Sequence, residues 1–225
     1  MEYISHFLVG LIGVVAIALA VVGCDPVTGT SPSDAAPDPD PEPEPVTYSI
    51  SGHVQKGPFV QGTEVTVREL DSSLTPTGRT FTGTISDDTG RFTASGELDS
   101  PYAELSATGY YFNEVSGALS SGTLTLRAIV DLSDRTTVNV NLLTHLERDR
   151  VEALVTGGAS LADAKAQAQG EILSIFGISA SSIGDSEELD ISQAGDANAM
   201  LLAISAVLQG DNSEAELTAL LSTVS

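Results

Sequence analysis

The spacing of hydrophobic positions changes near residue 140. Before it, apolar and polar residues alternate in short runs separated by Gly, Pro, Asp and Ser. A period of two is typical of strands with one buried face, and no helical pattern lies between the runs. The pattern therefore predicts an antiparallel seven-stranded β-sandwich rather than alternating strands and helices. The predicted strands cover residues 48–51, 64–68, 81–85, 91–94, 103–107, 124–130 and 137–140.

After residue 140 the spacing becomes that of amphipathic helices. Apolar residues recur every three or four positions in four runs, and Gly157 and Gly210 end the first and the third. Ser160 and Ser213 each stand three residues before an acid, which predicts capping boxes for the second and fourth helices. The whole pattern predicts an α+β protein in which a small α-helical bundle follows the sandwich. It leaves open whether the bundle is a separate domain or packs on the sandwich.

An unbroken apolar run of 17 residues, residues 7–23, precedes the only cysteine. A spanning helix needs about 20 apolar residues, so the run predicts a cleaved export signal. It ends in Val21-Val22-Gly23-Cys24, which resembles the lipobox of bacterial lipoproteins. This resemblance implies cleavage between Gly23 and Cys24 and acylation of Cys24, which would anchor the protein to a membrane. No Lys or Arg precedes the run, so an uncleaved signal anchor with an incidental cysteine is the alternative.

Between the signal and the first strand, proline alternates with acidic residues over residues 37–45. Proline fixes φ and removes amide donors, and like charges repel, so this segment predicts an extended polyproline-II tether. Nine such residues reach roughly 28 Å. A docking motif for a proline-binding groove is the alternative. The predicted organisation is a signal peptide (1–23), an acidic tether (24–46), a β-sandwich (47–140) and a helical segment (141–225).

Part of the β segment resembles the carboxypeptidase regulatory-like domain. The similar residues are Gly52-His53-Val54, the strand Val65-Thr66-Val67, and the turn Asp87-Asp88-Thr89-Gly90 that leads to Phe92. The resemblance covers about 80 residues and implies a transthyretin-like sandwich that serves as an accessory or structural module. In such a turn we expect Gly90 to adopt a positive φ and Phe92 to enter the core.

Composition and charge exclude several functions. A net charge of −22 opposes binding to nucleic acid, and one cysteine cannot form an intrachain disulfide. His53 and His145 lack a glutamate three residues later, so neither fits a zinc carboxypeptidase motif. Residues 87–90 supply too few oxygens for Ca²⁺. We expect no enzyme activity, no metal site and no cofactor.

Residues 110–114 are the most aromatic stretch outside the signal, and they supply the candidate ligand contacts. Tyr110, Tyr111, Asn113 and Glu114 would suit stacking on a sugar or contact with a peptide. The alternative, which alternation favours, is core and turn packing. In that arrangement Tyr110 and Phe112 enter the core and Tyr111 faces the other side.

Two residues of the first helix carry their own predictions. Arg150 falls in the apolar sector at 100° per residue, so we expect a buried charge that Glu147 and an acid from the β segment neutralise. His145 falls on the polar face, where we expect it to be solvated.

These features predict a membrane-anchored lipoprotein of the bacterial cell envelope that acts as a non-catalytic binding or scaffolding module. The partners would be the membrane, through lipid on Cys24, and an envelope protein or a glycan. We expect the outer membrane or cell surface, although Asp25 resembles an inner-membrane retention signal. The alternatives are an accessory subunit of a hydrolase, or a sugar-binding protein, that uses residues 110–114. Self-assembly through the last helices is a third hypothesis.

Overall fold

The computed structural model describes residues 44–224, apart from the side chain of residue 182. The predicted signal peptide, the Gly23 and Cys24 cleavage and lipidation site, and most of the tether lie outside this range. The strands are β1 (Val46–Gln55), β2 (Glu64–Leu70), β3 (Pro76–Ile85), β4 (Arg91–Leu98), β5 (Tyr102–Gly109), β6 (Phe112–Asn113), β7 (Ala118–Leu119), β8 (Leu124–Asp131) and β9 (Val140–Asn141). The helices are α1 (Leu142–Thr156), α2 (Leu161–Ile175), α3 (Asp196–Gln209) and α4 (Glu214–Val224), with short 3₁₀ turns at Ala180–Ser182 and Ser186–Glu188.

Seven of the strands form one largely antiparallel sheet in the order β8-β5-β2-β3-β4-β1-β9. The two end strands of this order, β8 and β9, contact each other, so the sheet is nearly barrel-shaped. Strands β6 and β7 form a separate two-stranded ribbon. The α+β class and the antiparallel character of the sheet are therefore confirmed.

The last predicted strand, residues 137–140, is the one that differs most from expectation. Only Thr137, through an isolated bridge, and the two residues of β9 pair with β1, and they do so in parallel. A Cβ on Gly52 would lie 1.9 Å from the carbonyl oxygen of Val138, so this glycine permits the close approach of the two segments. The pairing is short because the chain enters α1 directly after β9.

The turn before β4 has the conformation that its sequence predicts. Gly90 adopts a φ of +81°, and a Cβ there would lie 2.4 Å from the carbonyl oxygen of Val54. Phe92 is fully buried. Both expectations for this turn are confirmed, and a side chain at position 90 is excluded by conformation and by space.

The four predicted helices are confirmed, and so are most of their ends. Ser160 Oγ accepts from the Asp163 amide at the start of α2. Ser213 and Glu216 exchange hydrogen bonds at the start of α4, as a capping box requires. Gly157 caps the end of α1 and Gly210 that of α3.

The helices pack on the sheet. α1 contacts β8, β9 and α2, and one continuous cluster of buried apolar side chains contains residues from the strands and from all four helices. Within residues 44–224, no helix is both long and apolar enough to cross a membrane.

Candidate binding surface

The predicted ligand-contact residues belong to a hairpin that follows β5. Backbone hydrogen bonds hold its first strand to the loop after β1: the Val60 amide donates to the Tyr110 carbonyl (3.0 Å), and the Phe112 amide donates to the Pro58 carbonyl (2.9 Å). A Cβ on Gly57 would lie 1.9 Å from the Phe112 carbonyl oxygen. The hairpin can therefore reach this position only because residue 57 has no side chain.

Asn113 shapes the turn of this hairpin. Its side-chain Oδ1 accepts from the amides of Val115 (3.0 Å) and Ser116 (3.1 Å), and its carbonyl accepts from the amide of Gly117 (2.9 Å). Gly117 has a φ of +65°, which favours glycine. The turn places Leu119 directly opposite Phe112.

One face of the hairpin is apolar and exposed. Phe112 and Leu119 lie on the same face because they are paired, and Tyr110 shares it because it is two residues from Phe112. Their exposed fractions are 46%, 59% and 45%, and Val115 in the turn is 51% exposed. We call these four residues, three on one face of the hairpin and one in its turn, the hairpin face.

The packing prediction for residues 110–112 is wrong, because the buried and exposed faces are reversed. Alternation is present, but Tyr111 is fully buried, whereas Tyr110 and Phe112, which were expected in the core, are exposed. The reason is that Tyr111 forms a bridge to Phe59, stacks on its ring at 6.0 Å, and donates its hydroxyl to Gln209 Oε1 of α3 (3.1 Å). Burial, with the nearby charges of Glu214 and Glu114, raises the pKa of Tyr111 to about 12.

Glu114 is engaged inside the protein. Its Oε1 lies 2.6 Å from Nζ of Lys56, whose side chain is completely buried, and 2.6 Å from the hydroxyl of Ser205 in α3. The Lys56 ammonium also lies 5.3 Å from the ring centroid of Tyr111. Of the four predicted contacts, only Tyr110 has an exposed side chain that is available to a ligand.

A cleft of about 230 Å³ that is lined in part by charged residues lies elsewhere, beside α1 and α2, and the sequence did not predict it. Its lining residues include Arg135, Glu147, Lys165, Ser186 and Glu187. Glu187 accepts from Lys165 Nζ at 2.9 Å and lies 3.8 Å from Arg135 Nη2. Lys165 and Arg135 therefore both neutralise Glu187 in the cleft wall. The cleft lies where the helices meet the segment that precedes α3.

Glu147 is the buried acid of this cleft. It is 3% exposed, and Ser186 Oγ donates to its Oε1 at 2.5 Å. Burial raises the pKa of Glu147 to about 8, against the lowering effect of the Ser186 hydrogen bond and of Lys165. The only sequence signal for this residue was its position three residues before Arg150.

The prediction of a buried Arg150 is wrong. Arg150 is exposed and forms a two-pronged ion pair with Glu171 of α2, with distances of 2.6 and 2.9 Å. α2 packs beside this edge of α1, so the long side chain reaches solvent over it. Arg148, which is partly buried, forms an ionic link between α1 and the sheet, and its Nε lies 2.8 Å from Glu104 Oε2 in β5.

His145, which was predicted to be solvated, is instead half-buried. Its Nδ1 is buried and has no hydrogen-bond partner in the part of the chain that the structure describes. Burial, with the charge of Arg127, lowers its pKa to about 4. This side of α1 is covered because Thr218 and Leu221 of α4 line the same small cavity as His145.

His53 is partly buried, and its Nδ1 lies 3.4 Å from Asp190 Oδ2. Over residues 44–224, no group of three or more His, Cys, Asp or Glu side chains could hold a metal ion. Asp87 Oδ1 accepts from the Thr89 hydroxyl and amide, which stabilises the turn before β4.

The chain matches no protein-family model, and no curated protein is similar to it at a significant level.

Proposed function

We propose that this protein is a lipid-anchored, non-catalytic binding module of the bacterial cell envelope. We further propose that the hairpin face docks onto an apolar segment of another envelope protein. The observation that carries the proposal is the group of four exposed apolar side chains on one short hairpin, described above. Exposed aromatic and aliphatic residues in one patch are typical of interaction sites, and Tyr and Phe are enriched in them.

The support beneath this face favours binding without a large change of shape. Tyr111 and Asn113, on the opposite side of the hairpin, are buried and hydrogen-bonded. Glu114 is tied to Lys56 and Ser205. A hairpin that is already ordered loses less conformational entropy when it binds a partner.

The same contacts favour a protein over a glycan as the partner. A sugar needs polar side chains beside the aromatic ring to bind its hydroxyl groups. Asn113 and Glu114, the two polar candidates, already have partners within the protein. The available surface is mainly hydrocarbon, which suits the apolar side chains of another protein.

The finer fold in this proposal is a two-sheet sandwich of the carboxypeptidase regulatory-like kind, followed by a helical bundle. The register supports a division between β3 and β4, because only Gly83 to Ile85 pair with Ala94 to Phe92. One sheet would then contain β8, β5, β2 and β3, and the other β4, β1 and β9. Lipid on Cys24 and the acidic tether would connect the start of β1 to the membrane.

Mass spectrometry of the mature N-terminus tests the anchor. We expect the wild-type chain to begin at an acylated Cys24 and the Cys24→Ala variant to remain uncleaved and unlipidated. A wild-type chain that retains residues 1–23 without lipid contradicts the proposal.

Photo-crosslinking in the native envelope tests the docking surface. A photoreactive phenylalanine at Phe112 should yield one defined protein adduct that Leu119→Asp abolishes. The matched position is Thr80, which is exposed on β3 and should give no such adduct. A lipid adduct, a glycan adduct, a dimer of this chain or the same adduct from both positions would count against an apolar protein partner.

A further inference from the structure

Lys56 is an unusual lysine, because its charged end is buried. Its side chain has no exposed surface, and Nζ makes one hydrogen bond among the described residues, to Glu114 Oε1 at 2.6 Å. The Tyr111 ring is its other close partner, at 5.3 Å. An ammonium group has three donors, so this site does not satisfy the charged form well.

The carboxylate of Glu114 also lacks part of its hydrogen bonding. Its Oε1 accepts from Lys56 and lies 2.6 Å from the Ser205 hydroxyl, which is also 2.8 Å from the Lys56 carbonyl oxygen. Its Oε2 is buried and has no hydrogen-bond partner within residues 44–224. A buried ion pair is stable only when its remaining donors and acceptors are also bonded.

We propose that Lys56 and Glu114 condense into an intramolecular isopeptide bond. The Lys56 amine would attack the Glu114 carboxyl carbon, a bond would form between Nζ and Cδ, and the bond between Cδ and Oε2 would break. Of the three ammonium protons, one would remain on the amide nitrogen and two would leave with Oε2 as water. The reaction therefore needs no oxidant, reductant or other reactant.

Three features of the site favour this step. The attacking nitrogen already lies within hydrogen-bond distance of one oxygen of the carboxyl group, so the two reacting groups are held next to each other. Desolvation lowers the pKa of Lys56, against the opposing effect of Glu114, so a neutral amine is more accessible than on an exposed lysine. The Ser205 hydroxyl is placed to donate to Oε1 as negative charge develops there.

The product also fits the site better than the ion pair does. Condensation removes both charges and removes the unsatisfied Oε2. The remaining carbonyl oxygen keeps the Ser205 hydroxyl as its donor. The bond would join residues 58 positions apart and fasten the hairpin to the end of β1.

Peptide mapping of the full chain, purified from the envelope with detergent, tests the proposal. We expect a branched peptide that contains Lys56 and Glu114 and is about 18 Da lighter than the sum of its two parts. It should be absent from Lys56→Arg and from Glu114→Ala, whether or not these variants are stable, because digestion does not require folded protein. Ser205→Ala should reduce the linked fraction several-fold.

Lys165 and Glu187 provide a matched control within the same sample. This pair is also partly buried, at 2.9 Å, but Lys165 has a second acceptor in the Ile129 carbonyl and the pair borders an open cleft. We expect it to remain unlinked. Unlinked Lys56 and Glu114 peptides in the wild type, or equal linkage at the control pair, would overturn the proposal. Neither result bears on lipidation or on docking at the hairpin face.

Discussion

Glu147 and His145 lie two positions apart on α1, and burial shifts their pKa values in opposite directions. The sequence could not predict this, because the 100° rule describes one helix alone. The rule gives the angular position of Arg150 in the apolar sector of α1 correctly. However, α2 lies beside that edge and leaves the Arg150 side chain in solvent. The position of α4 over His145 likewise depends on the tertiary fold.

Because of Glu147, we expect the stability of the folded protein to decrease as the pH rises. Its pKa is raised from 4.5 to about 8, so the folded state binds more protons than the unfolded state between these values. The free energy of unfolding should fall by about 1.4 kcal/mol per pH unit between pH 6.5 and 8, above the range in which the shifted pKa of His145 acts in the opposite direction. Urea unfolding of Glu147→Gln at several pH values should show this decline removed. The matched variant Glu171→Gln, at an exposed position, should keep it.

Because of His145, we expect the opposite effect at acidic pH, where the stability of the folded protein should decrease as the pH falls. Its pKa is lowered from 6.5 to about 4, so the unfolded state binds more protons between these values, and stability is lost as the pH falls through them. His145→Leu removes the titrating group and the buried Nδ1 that lacks a partner. We expect it to be more stable than the wild type at pH near 5, as measured by thermal unfolding. An identical acid dependence in both proteins would show that another group is responsible.

At the scale of elements, local sequence is a good guide. The six longer strands, the four helices and the Ser160 and Ser213 caps were all predictable, because each depends on residues close in sequence. The side of residues 110–113 that enters the core was not. Period-two alternation defines two faces but does not say which one meets α3.

The absence of a side chain at Gly57 allows the hairpin to pack closely against the loop after β1. Gly57→Ala would place a methyl group on the Phe112 carbonyl oxygen, so the hairpin must shift. We expect a loss of about 1–3 kcal/mol in the free energy of unfolding, measured with urea. The matched substitution is Gly170→Ala in α2, where a Cβ meets nothing within 4 Å. That variant should gain about 0.5–1 kcal/mol, because alanine favours the helix.

At the scale of the whole molecule, the strands and helices share one apolar core, so we expect them to unfold together. Leu146→Ala in α1 truncates a fully buried side chain and should cost about 2–5 kcal/mol. Hydrogen exchange at β5 and β8 amides should lose protection at the same urea concentration as α1. Ala153→Ser, at an exposed position of α1, serves as the control. A sheet that stays protected after α1 has melted would contradict the shared core.

The parallel pairing of β1 with β9 has a consequence for the order in which the protein can fold. Val54 pairs with Val140, and the neighbouring contact between His53 and Asn139 joins residues 86 positions apart. Contacts of such separation form late and slowly, because the entropy of closing the loop is lost before they contribute. During synthesis the N-terminal part of the chain appears first, so the hairpins among β2 to β5 can form early. Strand β1 acquires its second neighbour only after residue 141 has been synthesised. Until then the Val54 edge remains open to another unfolded copy, so synthesis and refolding are the stages at which this protein is most prone to aggregation.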